Sequence, residues 1–219
     1  MPRVLIFFGA SGPRRKPLKA TGEPCPSSAM KASVDSSNAA CENYKDSPPR
    51  VKLESMDLPR HFQMLARYNR IANERLFERC AQLTFEEYQQ QRRGSFGSIH
   101  GLLNHILVGD RVWMKRFEGI GRVTPALNTI LFDDFSALRS ARTDQDLRIE
   151  AFFENPPENF FSRTIPYTNN QGKEYVEEAP VAVGHFFNHQ THHRGQIHVM
   201  LSQASVQPPS LDLHRIINP

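Results

Sequence analysis

Cysteine is scarce in this chain of 219 residues: Cys25, Cys41 and Cys80 are scattered, form no CxxC pair and are odd in number. That excludes a disulfide-stapled secreted framework and points to a reducing compartment. Long apolar runs are missing as well. None approaches the roughly 18 residues a membrane-spanning helix needs, so a soluble chain without a membrane partner is expected. Positive charge is lacking where a nucleic-acid binder would need it. The first fifty residues carry eight Lys/Arg against four Asp/Glu, which leaves nineteen of each in the remainder and assigns the whole net charge of +4 to the amino-terminal segment. A neutral body without a basic stripe gives a phosphate backbone little to hold, and no nucleic-acid partner is expected.

A phosphate-binding turn is also wanting. The opening MPRVLIFFGASG begins like a strand entering a nucleotide loop, but PRRKP stands where the helix should start, and proline-rich sequence cannot supply that helix N-terminus. Residues 11–55 are rich in Pro, Ser, Lys and Ala and have neither a helical nor a strand period, so 1–55 is expected to be a disordered basic tail. Its apolar run is too short for a secretory signal, and no convincing amphipathic helix supports a mitochondrial presequence. The cytoplasm is the expected location, with the mitochondrion as the alternative.

From Leu58 the pattern becomes helical. LPRHFQMLARYNRIANERLFERCAQL has Pro59 in a first-turn position and Phe62, Leu65, Ala72 and Leu76 at three- and four-residue steps. After the polar break QQQRRGSFGS, Ser98 or Ser95 can cap SIHGLLNHILVGDRVWMKRFEG, whose stripe is Ile99, Leu103, Ile106, Trp113 and Phe117. A third, more polar helix is threaded by Phe135, Leu138, Ile149 and Phe152. Ile165, Tyr167, Tyr175 and Val176 flank NNQG and predict a small β-hairpin turned on Asn170 to Gly172. A fourth helix runs from about Pro180 to Gln203. Four helices, one hairpin and no strand–helix alternation predict an all-α four-helix bundle with the hairpin before the last helix. The body spans 56–213, with 214–219 as a C-terminal tail.

That last helix contains five of the nine histidines within fourteen positions. At about 100° per residue, His189 and His193 share a face with Ala182, Phe186, Ile197 and Met200, whereas His185 and His192 lie toward its edge and His198 nearly opposite. A buried imidazole pair one turn apart needs hydrogen-bond partners or a metal. His105, on an apolar shoulder of the second helix, reads alone as a core imidazole bonded to a backbone carbonyl. Together with His189 and His193 it completes a three-histidine face, the open arrangement of a catalytic site. Gln190 stands where HExxH carries its general-base glutamate, which disfavours a zincin protease. Imidazole ligands suit zinc, nickel, copper or iron, and such a centre can polarise a carbonyl, acidify water or hold a thiolate.

Among the remaining candidates, His192 could face a substrate as acid or base, while Gln196, within about 20° of His189 on the helical wheel, could orient a ligand. Asp110 could do likewise, although for both residues an ordinary capping or interhelical hydrogen bond is the first reading. Cys80 reads as a small core residue rather than a nucleophile, and Gly195 suggests a close helix contact.

The blocks YNRIANERLFERC, SFGSIHGLLNHILVGDRVWMKRFEG, IPYTNNQGKEY and HFFNHQTHHRGQIHVML resemble, in order, those of the DinB/YfiT-like superfamily over about Met56 to Leu213. The resemblance implies an up-down-down-up bundle, a homodimer and a divalent metal on His105, His189 and His193. Relatives with assigned activities include thiol transferases and thiol-linked isomerases. This implies a metal-dependent enzyme, with zinc or nickel foremost, that transfers a low-molecular-weight thiol to a small electrophile. The alternative is a non-catalytic metal-binding dimer with a role in stress response or interaction. An electropositive pocket facing the metal would suit an anionic thiol such as glutathione, and a closed fourth position would favour a structural role.

A chain lacking residues 1–55 is expected to keep a single cooperative thermal transition, measured by calorimetry. Loss of that transition would contradict the assignment of the segment as a tail.

Overall fold

Side-chain caps mark where the chain enters its helices. In the computed structural model, which describes residues 57–120 and 126–218, Asp57 Oδ1 accepts from Arg60 N at 3.1 Å and starts α1, Leu58–Cys80. A reciprocal capping box between Thr84 and Glu87 starts the short α2, Phe85–Gln89. Ser98 Oγ accepts from Gly101 N at 3.0 Å and begins α3, Ile99–Phe117, which decides between the two serines expected as caps. Asp134 Oδ1 accepts from Ala137 N at 2.7 Å and begins α4, Phe135–Glu154. Each such cap satisfies a helix-end N–H and contributes about 1 kcal/mol.

A 3₁₀ turn, Phe160–Ser162, leads into β1, Thr164–Thr168, which pairs antiparallel with β2, Glu174–Glu178. Tyr167 faces Tyr175 in register, and their rings stack at 5.4 Å. Asn169 Oδ1 accepts from Gln171 N and Lys173 N to form the turn, and Gly172 takes a φ of +79° that side chains rarely adopt. The hairpin runs without a loop into α5, Ala179–Ser202. No side chain caps α5. The Ala179 N–H donates instead to the Arg163 carbonyl at 3.0 Å, which ties the helix start to the residue before β1.

The described residues are thus mostly helical, with six helices and one two-stranded sheet. Four helices are long, as the periodicity predicts. The two short ones, α2 and α6 (Leu213–Ile217), complete less than two turns and leave no periodic signal to read. Tyr88 of α2 is buried beside Phe135, while Ile216 of α6 is buried against Tyr68 and Ala72 of α1. Expectations for residues 1–55 lie outside the described residues, and no described helix is long and apolar enough to cross a membrane.

α1 packs on α4 and α5, and α3 packs on the same two helices. The core between them is divided along the helix axes. One apolar cluster contains Leu76 and Phe77 of α1, Leu103 and Leu107 of α3, Leu138 of α4, and Ile197 and Leu201 of α5. The other contains Phe62 and Ala66, Met114 and Phe117, Ile149 and Phe153, and Phe186 and Phe187 from the same helices. Each of these helices also places buried polar side chains between the clusters: Asn69 and Asn73, Asp110, Arg142 and Asp146, Gln190 and Arg194.

These side chains form one charge-balanced layer. Arg142 bridges Asp110 of α3 and, through Nε at 3.0 Å, Asp146. Asp146 Oδ1 accepts from Asn69 at 3.2 Å and Asn73 at 3.0 Å. Arg194 in turn donates to the side-chain carbonyls of Asn69, Asn73 and Gln190. The interhelical bonding expected of Asp110 is therefore present, and its partner, Arg142, comes from α4.

Replacing Arg142 with Met leaves two buried carboxylates without their cation and should cost about 3–5 kcal/mol in urea unfolding. Arg215→Ala, which removes an exposed pair with Asp212 at 3.7 Å, should stay within about 0.5 kcal/mol. Equal effects would mean that the layer does not hold the helices together.

Candidate metal centre

His105 of α3 meets His189 and His193 of α5 beside the polar layer. His105 Nε2 lies 3.2 Å from His189 Nε2 and 3.1 Å from His193 Nε2. The three candidate ligand atoms lie within 4.8 Å of one another, so this cluster can hold a metal ion. The other sides of two rings are already committed. His105 Nδ1–H donates to the Leu127 carbonyl at 2.7 Å, and His193 Nδ1–H donates to Gln196 Oε1 at 2.8 Å. Those partners set the tautomer and leave Nε2 of both rings as a bare lone pair. Lone pairs 3.1 Å apart repel unless a cation or proton lies between them, so the donor set fits a divalent ion.

Burial keeps the cluster unprotonated. His189 is pushed down to about 3, first by burial and then by repulsion from His193 and His105. His193 is lowered to about 4, mainly by burial and against the pull of its bond to Gln196. His105 is lowered by burial, against its bond to Leu127.

Two neighbours shape the site. Phe96, in the polar break before α3, stacks on His105 with ring centroids 3.6 Å apart and meets His193 edge-on at 5.8 Å. Its φ of 66° is a conformation that residues with a Cβ seldom take, so packing against the histidines outweighs local strain. Gly109 supplies space: a Cβ there would lie 2.9 Å from His189 Cε1. A cleft of about 600 Å³ opens beside Phe96 and Leu127 and reaches Asn128, Asn169 and Gly172 of the hairpin turn.

The other sequence candidates take different places. His192 is exposed, yet its Nε2 lies 3.2 Å from Gln196 Nε2, which links it through that amide to His193. The wheel places Gln196 nearest His189, but the side chain bonds one turn back to His193. His185 is exposed against Trp113, His198 bonds the Pro209 carbonyl, and the buried His100 meets the Tyr88 hydroxyl at 3.1 Å. Burial pushes the Cys80 thiol up to about 12, so it is a core residue and no nucleophile. Gly195 is exposed with open space where its Cβ would be, so no close helix contact explains it. Gln190 is fully buried and accepts from Arg194, far from the role of a general base. Sequence reasoning missed Phe96, Gly109 and the Leu127 carbonyl. The available signals were an aromatic inside a polar break and a glycine in mid-helix.

A family model described as the DinB family matches residues 56–219. Protein DinB of Bacillus subtilis (strain 168) is 27% identical over 149 residues, which cover 64% of this chain and 84% of that protein. All three histidines, Phe96 and the hairpin lie within the residues the family model matches.

Because burial holds His189 at about 3 and His193 at about 4, below the ordinary value of about 6.5, these two rings carry no second proton to expel at pH 6. Zinc binding at pH 6 should therefore release almost no protons, and affinity should fall only as pH drops toward about 4. Titration calorimetry in buffers of different ionisation enthalpy measures this. Release of a full proton or more per zinc at pH 6 would refute the assignment.

Proposed function

This chain belongs to the DinB family, and we propose that it is a divalent-metal enzyme transferring a low-molecular-weight thiol to a small electrophile. The ligands are His105, His189 and His193, and zinc or nickel suits this all-imidazole set. One observation carries the reading: three Nε2 atoms converge while Nδ1 of two rings is held from outside. When bound there, the ion supplies Lewis acidity and stabilises a thiol as its thiolate.

The protein's own residues provide the rest. The Leu127 carbonyl and Gln196 hold the rings in orientation, and Phe96 covers one face of His105 against water. The adjacent cleft has room for a small molecule. In the reaction the thiol loses its proton, its sulfur bonds to the electrophilic carbon, and the proton passes to the displaced group or the resulting carbanion. His192, exposed and joined through Gln196 to His193, is the candidate for carrying that proton. The buried, hydrogen-bonded Gln190 supports this reading over protein hydrolysis, since nothing at that position can act as the base of an HExxH site.

Family membership over residues 56–219 is consistent with our further proposal that α1, α3, α4 and α5 form an up-down-down-up four-helix bundle acting as a homodimer, with residues 1–55 as a separate tail. Scarce, unpaired cysteine supports a cytoplasmic location.

Conjugation of glutathione and other common thiols to a chromogenic electrophile tests the activity, with the full chain metal-free, zinc-loaded or nickel-loaded. Metal-dependent turnover is expected, and His193→Ala should lower it on the order of 100-fold or more, beyond the effect of losing an outer hydrogen bond. No turnover combined with a chelator-sensitive melting temperature would favour the non-catalytic metal-binding dimer. No turnover and no chelator effect would overturn both readings.

A further inference from the structure

About three turns beyond His105, α3 carries a half-buried cation, Arg116, without an anion among the described residues. Among the described residues no carboxylate lies within ion-pair distance of Arg116. Its guanidinium instead lies over two aromatic faces, 4.5 Å from the Trp113 ring and 4.1 Å from the Tyr167 ring, and donates to the Thr168 carbonyl at 3.4 Å. Stacking on aromatic faces holds the guanidinium plane while leaving edge N–H donors for a planar anion. Among the described residues one acceptor is bonded to this group of five N–H donors.

The position is continuous with the histidine centre. His105, Gly109, Trp113 and Arg116 follow at steps of four, four and three residues, so they share one face of α3. The Cα–Cβ bonds of Trp113 and Arg116 tilt toward the helix N-terminus, which is the His105 end. The Trp113 ring meets His185 on the facing helix at 5.2 Å, and His185 lies 6.0 Å from His189, ring centroid to centroid. From Gly109, where His189 packs, to Arg116 is about 10 Å of helix. Glu177 on β2 is near enough to act on Tyr167 and His185, yet it forms no ion pair with Arg116. Among the described residues the charge of Arg116 is thus left without a carboxylate partner.

We propose that Arg116, held against the Trp113 and Tyr167 rings, binds a carboxylate of the thiol cosubstrate whose sulfur end lies at the histidine centre. The preferred cosubstrate is then a small thiol acid rather than a neutral thiol. Arg116 sets specificity and takes no part in the bond-making step. The inference rests on the metal–thiol reading above.

The single tryptophan of the chain touches both Arg116 and His185, so its fluorescence reports on this groove. Full-length protein, with and without zinc, is titrated with mercaptopropionate, mercaptohexanoate and mercaptooctanoate, and with mercaptoalcohols of equal chain length. Both series should bind more tightly with zinc. The longer acids should exceed their alcohols by about tenfold, the size of one charge-assisted pair. Arg116→Gln should abolish that preference without changing alcohol affinity, and Arg116→Lys should restore part of it. Zinc-dependent binding with equal affinity for acids and alcohols overturns the Arg116 assignment alone and leaves the metal–thiol reading standing. Binding of neither series, or binding indifferent to zinc, overturns that reading and the subsite with it. The acid-against-alcohol comparison in the unmodified chain decides the matter even if Arg116→Gln fails to fold.

Discussion

The buried layer of Asp110, Arg142, Asp146, Asn69, Asn73 and Arg194 is the constraint on which the rest of the molecule depends. Apolar side chains tolerate a helix sliding by part of a turn, because one leucine packs much like another. A guanidinium between two carboxylates does not, since displacement leaves a charge buried without its partner. The layer joins α1, α3, α4 and α5 and separates two apolar clusters. It therefore sets the axial register of all four helices.

Register is what the histidine centre requires. His105 and the pair His189 and His193 sit on different helices, and their nitrogens converge only if α3 and α5 are aligned along their axes. Asp110 lies five residues after His105, and Gln190 and Arg194 each follow one of the α5 histidines directly. The same turns of helix thus carry ionic partners inward and imidazoles toward the groove. Gly109 permits the close approach of the two helices at that level. Phe96 and the Leu127 carbonyl then hold His105 from loops whose geometry follows from the helix ends.

Much of this was legible in the chain. Helical periodicity located the four long helices, and the polar tetrad between tyrosines located the hairpin. Helical phase separated His189 and His193 from His185, His192 and His198. Other features left no periodic trace. The short helices α2 and α6 complete too few turns to show a stripe, and α4 looked merely polar because its Arg142 and Asp146 are core residues bearing charge. Gln196 was recognised as a partner but matched to the wrong histidine. Its amide reaches back one turn to His193, and the angular position of its Cα does not reveal that. Gly195 looked like a packing glycine because it interrupts a helix, yet it faces solvent.

What the sequence determined by itself is the set of quantities internal to one segment: which residues are helical, which face of each helix is apolar, which histidines share that face, and that Gln190 replaces a catalytic glutamate. These follow from backbone geometry repeated every 3.6 residues, which is the same in any fold. Tertiary structure alone decided how those faces meet: that His105 comes within 3.2 Å of both histidines of α5, that Arg142 bridges Asp110 and Asp146, and that Arg116 packs against both Trp113 and Tyr167. The reason is physical. Contacts between segments depend on register and crossing, and those are set by many weak packing terms together with one buried ionic layer whose members no local pattern connects.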